Sequence, residues 1–200
     1  MNQPKADYES AKRTVATIQR ELNEQVAEIR GNRSLTDGGK KREIAVATLK
    51  AKKAAAEAKA AFVAERQSRR EGMQRIAFGN TDTGTSSADQ IAARDAADRA
   101  AKLKGEDDAK AALEQAILHN DTGLAKAVAA QAHQRGWNGI VDRYGSMFDR
   151  QVYIDRMDEI PVGPKTELAD NLVFRVKPPR ELAAHRSDFD LQRLVDGQAR

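Results

Sequence analysis

The sequence predicts an all-α fold: a long N-terminal helical hairpin or coiled coil, then a small bundle of short helices, then an extended C-terminal tail. Three observations predict it. Ile44, Ala47, Ala51, Ala54, Ala58, Ala61 and Glu65 follow one another at alternating spacings of 3 and 4, a heptad seam dominated by alanine. Tyr8, Ala11, Val15, Ile18, Leu22, Gln25 and Ile29 repeat in the same way, with bulkier side chains. Four of the five prolines, Pro161, Pro164, Pro178 and Pro179, fall after residue 160, where helical periodicity gives out.

The first helix is expected to begin near Pro4, since proline is tolerated in a first helical turn, and to end at Gly31, a C-cap residue. Gln25 is the lone polar member of its seam, a position that often sets register. Asn32 to Gly39 is rich in turn formers. A second helix follows from about Lys40 to Phe78, and at 1.5 Å per residue it would span roughly 60 Å. Alanine combines the best helix propensity with the smallest seam side chain, so a bulky first helix can lie close against it. The expected seam contacts are Val15, Ile18, Leu22 and Ile29 against Ile44, Ala47, Ala51, Ala54, Ala58 and Ala61. The second helix overruns the first, so Gln67 to Phe78 needs another partner.

Residues 79–87 read as a linker, rich in Gly, Ser, Thr and Asn, which places a hairpin domain at 1–78 and a helical bundle at 88–159. Ser86 or Ser87 can cap the next helix, and Ser87 with Gln90 has capping-box spacing. Ala88, Ile91, Ala92, Ala96, Ala100 and Leu103 share one helical face. Ala109, Ala112, Leu113, Ala116 and Ile117 form the next stripe, and Leu124, Val128 and Ala132 another, closed by Gly136. Trp137, Ile140, Val141, Tyr144, Met147 and Phe148 keep helical spacing and carry much of the bulky apolar content, so they are the expected centre of this core. Residues 160–200 form the expected tail. Leu172, Val173, Phe174 and Val176 make a strand-like run there, and a single strand is unstable alone, so these four are candidate partner-binding residues. Phe189, Leu191, Leu194 and Val195 suggest a last short helix.

Composition limits the chemistry. Apolar residues make up 40% of the chain but aromatics only 4%, a modest core that favours elongation or burial against a partner. There are no cysteines, hence no disulfides and no thiol nucleophile. Met1 to Ser10 lacks the apolar core of a signal peptide, and no window approaches the 18 or so apolar residues of a membrane span. A soluble protein made in a cytoplasm is expected. The net charge of +4 is uneven, with eleven basic and five acidic residues between Thr36 and Phe78.

No catalytic constellation emerges, and no cofactor or metal is expected. His119, His133 and His185 are scattered. Asn80, Asp82 and Gly84 echo a calcium loop, but its twelfth position is Ile91 rather than glutamate. Asp149, Asp155, Asp158 and Glu159 interleave with Arg143, Arg150 and Arg156, the pattern of a salt-bridged surface. Lys50, Lys52, Lys53, Lys59, Arg66, Arg69 and Arg70 are the candidate phosphate-contacting residues of a basic helix. They do not keep to one face, so a solvated surface is the simpler account.

The alanine seam Ile44 to Glu65, the Ala-Arg-Asp run Ala92 to Arg99 and the tail Asn171 to Arg186 together resemble the small helical structural proteins of tailed bacteriophages: scaffolding, neck-adaptor and minor head or tail proteins. The resemblance implies a non-enzymatic virion component assembled in the host cytoplasm, working in many copies at the head, neck or head–tail connection. Its implied partners are further copies of itself and other particle proteins such as capsid or portal. The alternative is a nucleic-acid-associated or regulatory coiled-coil protein that uses the basic helix for nonspecific DNA contact.

Overall fold

A computed structural model describes residues 3–79, 86–185 and 187–197. The regular structure of the described residues is all helix, with no strand: α1 (Gln3–Gly31), α2 (Asp37–Phe78), α3 (Ser87–Ala101), α4 (Glu106–Leu118), α5 (Thr122–Arg135), α6 (Asn138–Met147), α7 (Gln151–Asp158), α8 (Pro164–Val173) and α9 (Asp188–Val195). The chain divides into two compact units. One comprises Met1–Glu65 with Pro161–Arg200, and the other is Arg66–Ile160. The division differs from the expected one at 79–87, because the end of α2 belongs to the second core. Most of that expected linker, with Asn80, Asp82 and Gly84, lies outside the described residues.

In the first unit α1 and α2 form an antiparallel hairpin. Thr36 opens α2 by accepting the Gly39 amide on its hydroxyl at 3.1 Å, and Lys40 Nζ donates to the Arg30 carbonyl at 2.9 Å across the turn. At the other end the Tyr8 and Phe62 rings meet at 5.5 Å. Between them Leu22 and Val26 pack with Ile44, Ala45, Ala47, Ala51 and Ala55, and Ala11 and Val15 with Ala58 and Phe62. The seam therefore departs from the heptad expectation. Gln25 is exposed and Val26 is buried in its place. Ala54 and Ala58 are half-buried, Ala61 is exposed, and Ala55 and Phe62 carry the contact. Ile18 and Ile29 lie half-buried at its margin. From Ile44 to Phe62 the apolar face advances by 3.6 residues per turn, the period of straight helices, whereas the predicted 3.5 requires supercoiling.

The reason lies in the C-terminal residues, which are not an extended tail. Val176, Leu182 and Leu191 are buried in the hairpin cluster, and the Phe174 ring meets Phe62 at 5.5 Å, tilted by 51°. A third element on the seam widens the face that each helix must present. The strand-like run resolves into the end of α8 and an extended stretch after it. Pro164, expected to break a helix, occupies the first turn of α8 behind Gly163 at φ 99°, where proline is pre-organised and glycine carries no penalty. The extended backbone finds a side chain instead of a strand. The Lys177 amide donates to Gln19 Oε1 at 2.8 Å, and Gln19 Nε2 donates to the Lys177 carbonyl at 3.2 Å. Tyr8 donates to the buried Asp170 at 2.8 Å, and Arg30 holds Glu181 with two bonds at 2.7 and 2.9 Å.

The second unit packs α3 to α7 with the end of α2. Of the two expected caps it is Ser86 that caps α3, exchanging bonds with Asp89, so the capping box is Ser86–Asp89 rather than Ser87–Gln90. Ala109, Leu113 and Ala116 of α4 are buried against Leu124, Val128 and Ala132 of α5, and Gly136 ends α5 at φ 75°, a left-handed cap. The expected centre is borne out: Ile140, Val141 and Tyr144 are buried, Trp137 and Phe148 pack against them, and Met147 is exposed. Tyr144 donates to the Ala77 carbonyl at 2.7 Å and its ring meets Phe78 at 5.9 Å, so α2 ends inside this core.

Two consequences are measurable. Burial pushes the Tyr144 phenol up to about 12, only partly offset by Arg150. Because the folded phenol is the harder to ionise, its contribution is complete below about pH 10 and is lost as pH rises towards 12. Tyr144→Phe removes the buried hydrogen bond to the Ala77 carbonyl and costs about 0.5–1.5 kcal/mol in urea unfolding. Conversely, the Arg30 hydrogen bonds hold the Glu181 carboxyl down at about 2. The stability it adds is present above about pH 4.5 and is lost as pH falls towards 2, so Glu181→Gln flattens the acid limb of the stability–pH curve.

Candidate functional site

The seven candidate phosphate-contacting residues are not a shared surface. In the first unit Lys50 is exposed, and Lys53 is exposed beside Glu57 at 3.9 Å. Lys52 is paired with Asp188 at the start of α9, and Lys59 donates to Asn171 of α8 at 2.6 Å. These two lysines tie the returning chain to the hairpin. In the second unit Arg66 is buried and Arg69 half-buried. Arg70 donates to the Met157 and Ile160 carbonyls at 2.6 and 3.1 Å, pinning the chain where α7 ends; the Met157 carbonyl also accepts the Ile160 amide at 3.2 Å. Three of the seven, Lys52, Lys59 and Arg70, are thus spent on intramolecular contacts whose partners are distant in sequence.

The acidic run 149–159 disperses similarly. Asp155 accepts from Gln151 at 2.8 Å, Asp158 sits 2.9 Å from His133 Nε2, and Arg143 binds Glu114 at 3.0 Å. Among the described residues, no three of His, Asp and Glu converge as metal ligands. No described helix is long and apolar enough to cross a membrane.

The four candidate partner-binding residues separate. Phe174 and Val176 are buried in the first unit and unavailable to a partner, because the hairpin already covers them. Val173 is half-buried. Leu172 is 72% exposed, and Leu168, one turn earlier on the same face of α8, is 65% exposed. Leu168 was not singled out by sequence, although its i, i+4 spacing to Leu172 is the signal that would have found it. The inner face of α8 is occupied by Thr166 and Asp170, which leaves the two leucines as an outward ridge.

The second unit carries a complementary feature. α3 buries only Ala96 and Ala100. Between it and α5 runs an open trough of about 600 Å³, floored by Ala92, Ala93, Ala96 and Ala97 of α3 with Ala127 and Ala130 of α5. Asp89, Asp95 and Asp121 line it with Arg99 and Lys126. Ile91, expected to face the core, is 66% exposed on α3.

No family model, curated protein or solved structure matches the chain. The division between structural and solvated cations is directly testable. Arg70→Ala should cost about 1–3 kcal/mol in chemical denaturation, since it removes two part-buried hydrogen bonds from a charged donor, whereas Lys50→Ala should stay within about 0.5 kcal/mol.

Proposed function

We propose that the protein is a non-enzymatic assembly component that works in multiple copies through protein–protein contacts. Following its sequence resemblance, we assign it to the structural proteins of a tailed-phage particle, at the head, neck or head–tail connection, assembled in the host cytoplasm. Capsid or portal subunits are its proposed partners besides its own copies.

The observation that carries this reading is the outward ridge Leu168–Leu172 on α8. The opposite face of the same helix is filled by Thr166 and Asp170, with Tyr8 bonded to Asp170, so the ridge contributes little to the fold. Keeping large apolar side chains in water on a helix anchored from behind is the property of a surface that another protein covers. The engagement of Lys52, Lys59 and Arg70 within the chain weighs against nucleic acid as the main partner.

Light scattering of the purified full chain, alone and mixed with capsid or portal protein, tests the proposal. The expected result is a defined oligomer or a mixed complex. A mass of 22.0 kDa under every condition overturns the assembly reading. DNA binding that is strong at low salt and falls steeply at moderate salt would replace it with the nucleic-acid alternative.

A further inference from the structure

We infer that the occupant of the α3/α5 trough is the Leu168–Leu172 ridge of a second copy of this chain. The inference rests on the assembly reading and names its partner surface.

Shape and charge both point to this pairing. The trough is floored by alanines from two helices, which leaves holes where larger side chains would otherwise interdigitate. The ridge offers two leucines spaced one turn apart, the knobs that such holes accept. Lys165 precedes the ridge on the same face of α8, and the exposed Arg175 follows just past the helix end. They oppose the trough's Asp89, Asp95 and Asp121, and Glu167 beside the ridge suits Arg99 and Lys126. The whole units differ in the same sense. The ridge unit holds 20 Lys and Arg against 15 Asp and Glu, and the trough unit holds 14 against 15. Complementary fields of this kind steer encounter and fix orientation.

The ridge and the trough are different surfaces, so the contact is heterologous. Each copy offers one of each, and repetition of the contact generates a closed ring or an open filament.

Two variants of the full chain separate the surfaces: Leu168→Glu with Leu172→Glu removes the ridge, and Ala93→Arg with Ala97→Arg fills the trough. All four positions are exposed, so both variants should keep wild-type helicity and thermal midpoint. In light scattering across a dilution series, the wild type is expected to be an oligomer. Each variant alone should fall to one chain. Mixed, they should form a species of two chains and no more, since one intact ridge meets one intact trough, and that regain of mass also shows that both are folded. Three outcomes overturn the inference. If the wild type is a single chain at every dilution, the contact does not form. If the variants keep the wild-type mass, the copies associate through another face, and the assembly reading stands without this contact. If both variants are single chains but do not pair on mixing, the ridge and the trough are not each other's partners.

Discussion

The fold depends on how little an alanine face can bury. Between its large end residues, Ile44 and Phe62, the side of α2 turned to α1 is mostly alanine, with Ala47, Ala51 and Ala55 buried. Each methyl removes only a small apolar area from water, so the hairpin interface alone is a thin source of stability. The remedy is a third wall. Val176, Leu182 and Leu191 come back from the far end of the chain and fill the open side of the seam. The polar clasps Gln19–Lys177, Arg30–Glu181 and Lys52–Asp188 follow from that return, since each fixes the same segment against the hairpin.

The hairpin was legible in the sequence because bulky and small seams of equal length alternate around a turn of Asn, Asp and Gly. What was misjudged is the period. A 3.5-residue repeat and a 3.6-residue repeat diverge by half a residue over five steps, enough to exchange Gln25 for Val26 and Ala61 for Phe62. Local pattern favours the heptad, and the third wall decides for the straight helix. The returning segment was illegible for a related reason. Leu172, Val173, Phe174 and Val176 have strand-like composition, and only contacts more than a hundred residues distant in sequence determine their fate. The basic helix shows the same limit: its charges can be counted from sequence, but Asp188, Asn171 and the carbonyls of Met157 and Ile160, which occupy Lys52, Lys59 and Arg70, cannot.

The second unit was read more accurately, since its helices are short, amphipathic and joined by tight turns. Gly136 and the Trp137–Phe148 stripe behave as local chemistry dictates. α3 is the exception. Its stripe of Ala88, Ile91 and Ala92 has core periodicity yet stays in water. A pattern written for burial and left uncovered within the chain is consistent with a surface completed by another molecule. The α8 ridge makes the same point from the first unit.

The first unit is discontinuous, with residues 66–160 inserted between the hairpin and its third wall. During synthesis the hairpin leaves the ribosome while its covering segment is still unmade. At about 5–20 residues per second, translating the intervening stretch takes roughly 5–20 seconds. Throughout that interval the nascent chain displays a sticky, half-finished apolar groove to chaperones and to its neighbours on the same polysome. The inserted bundle, whose contacts are local, has time to fold first, and the hairpin can mature only afterwards.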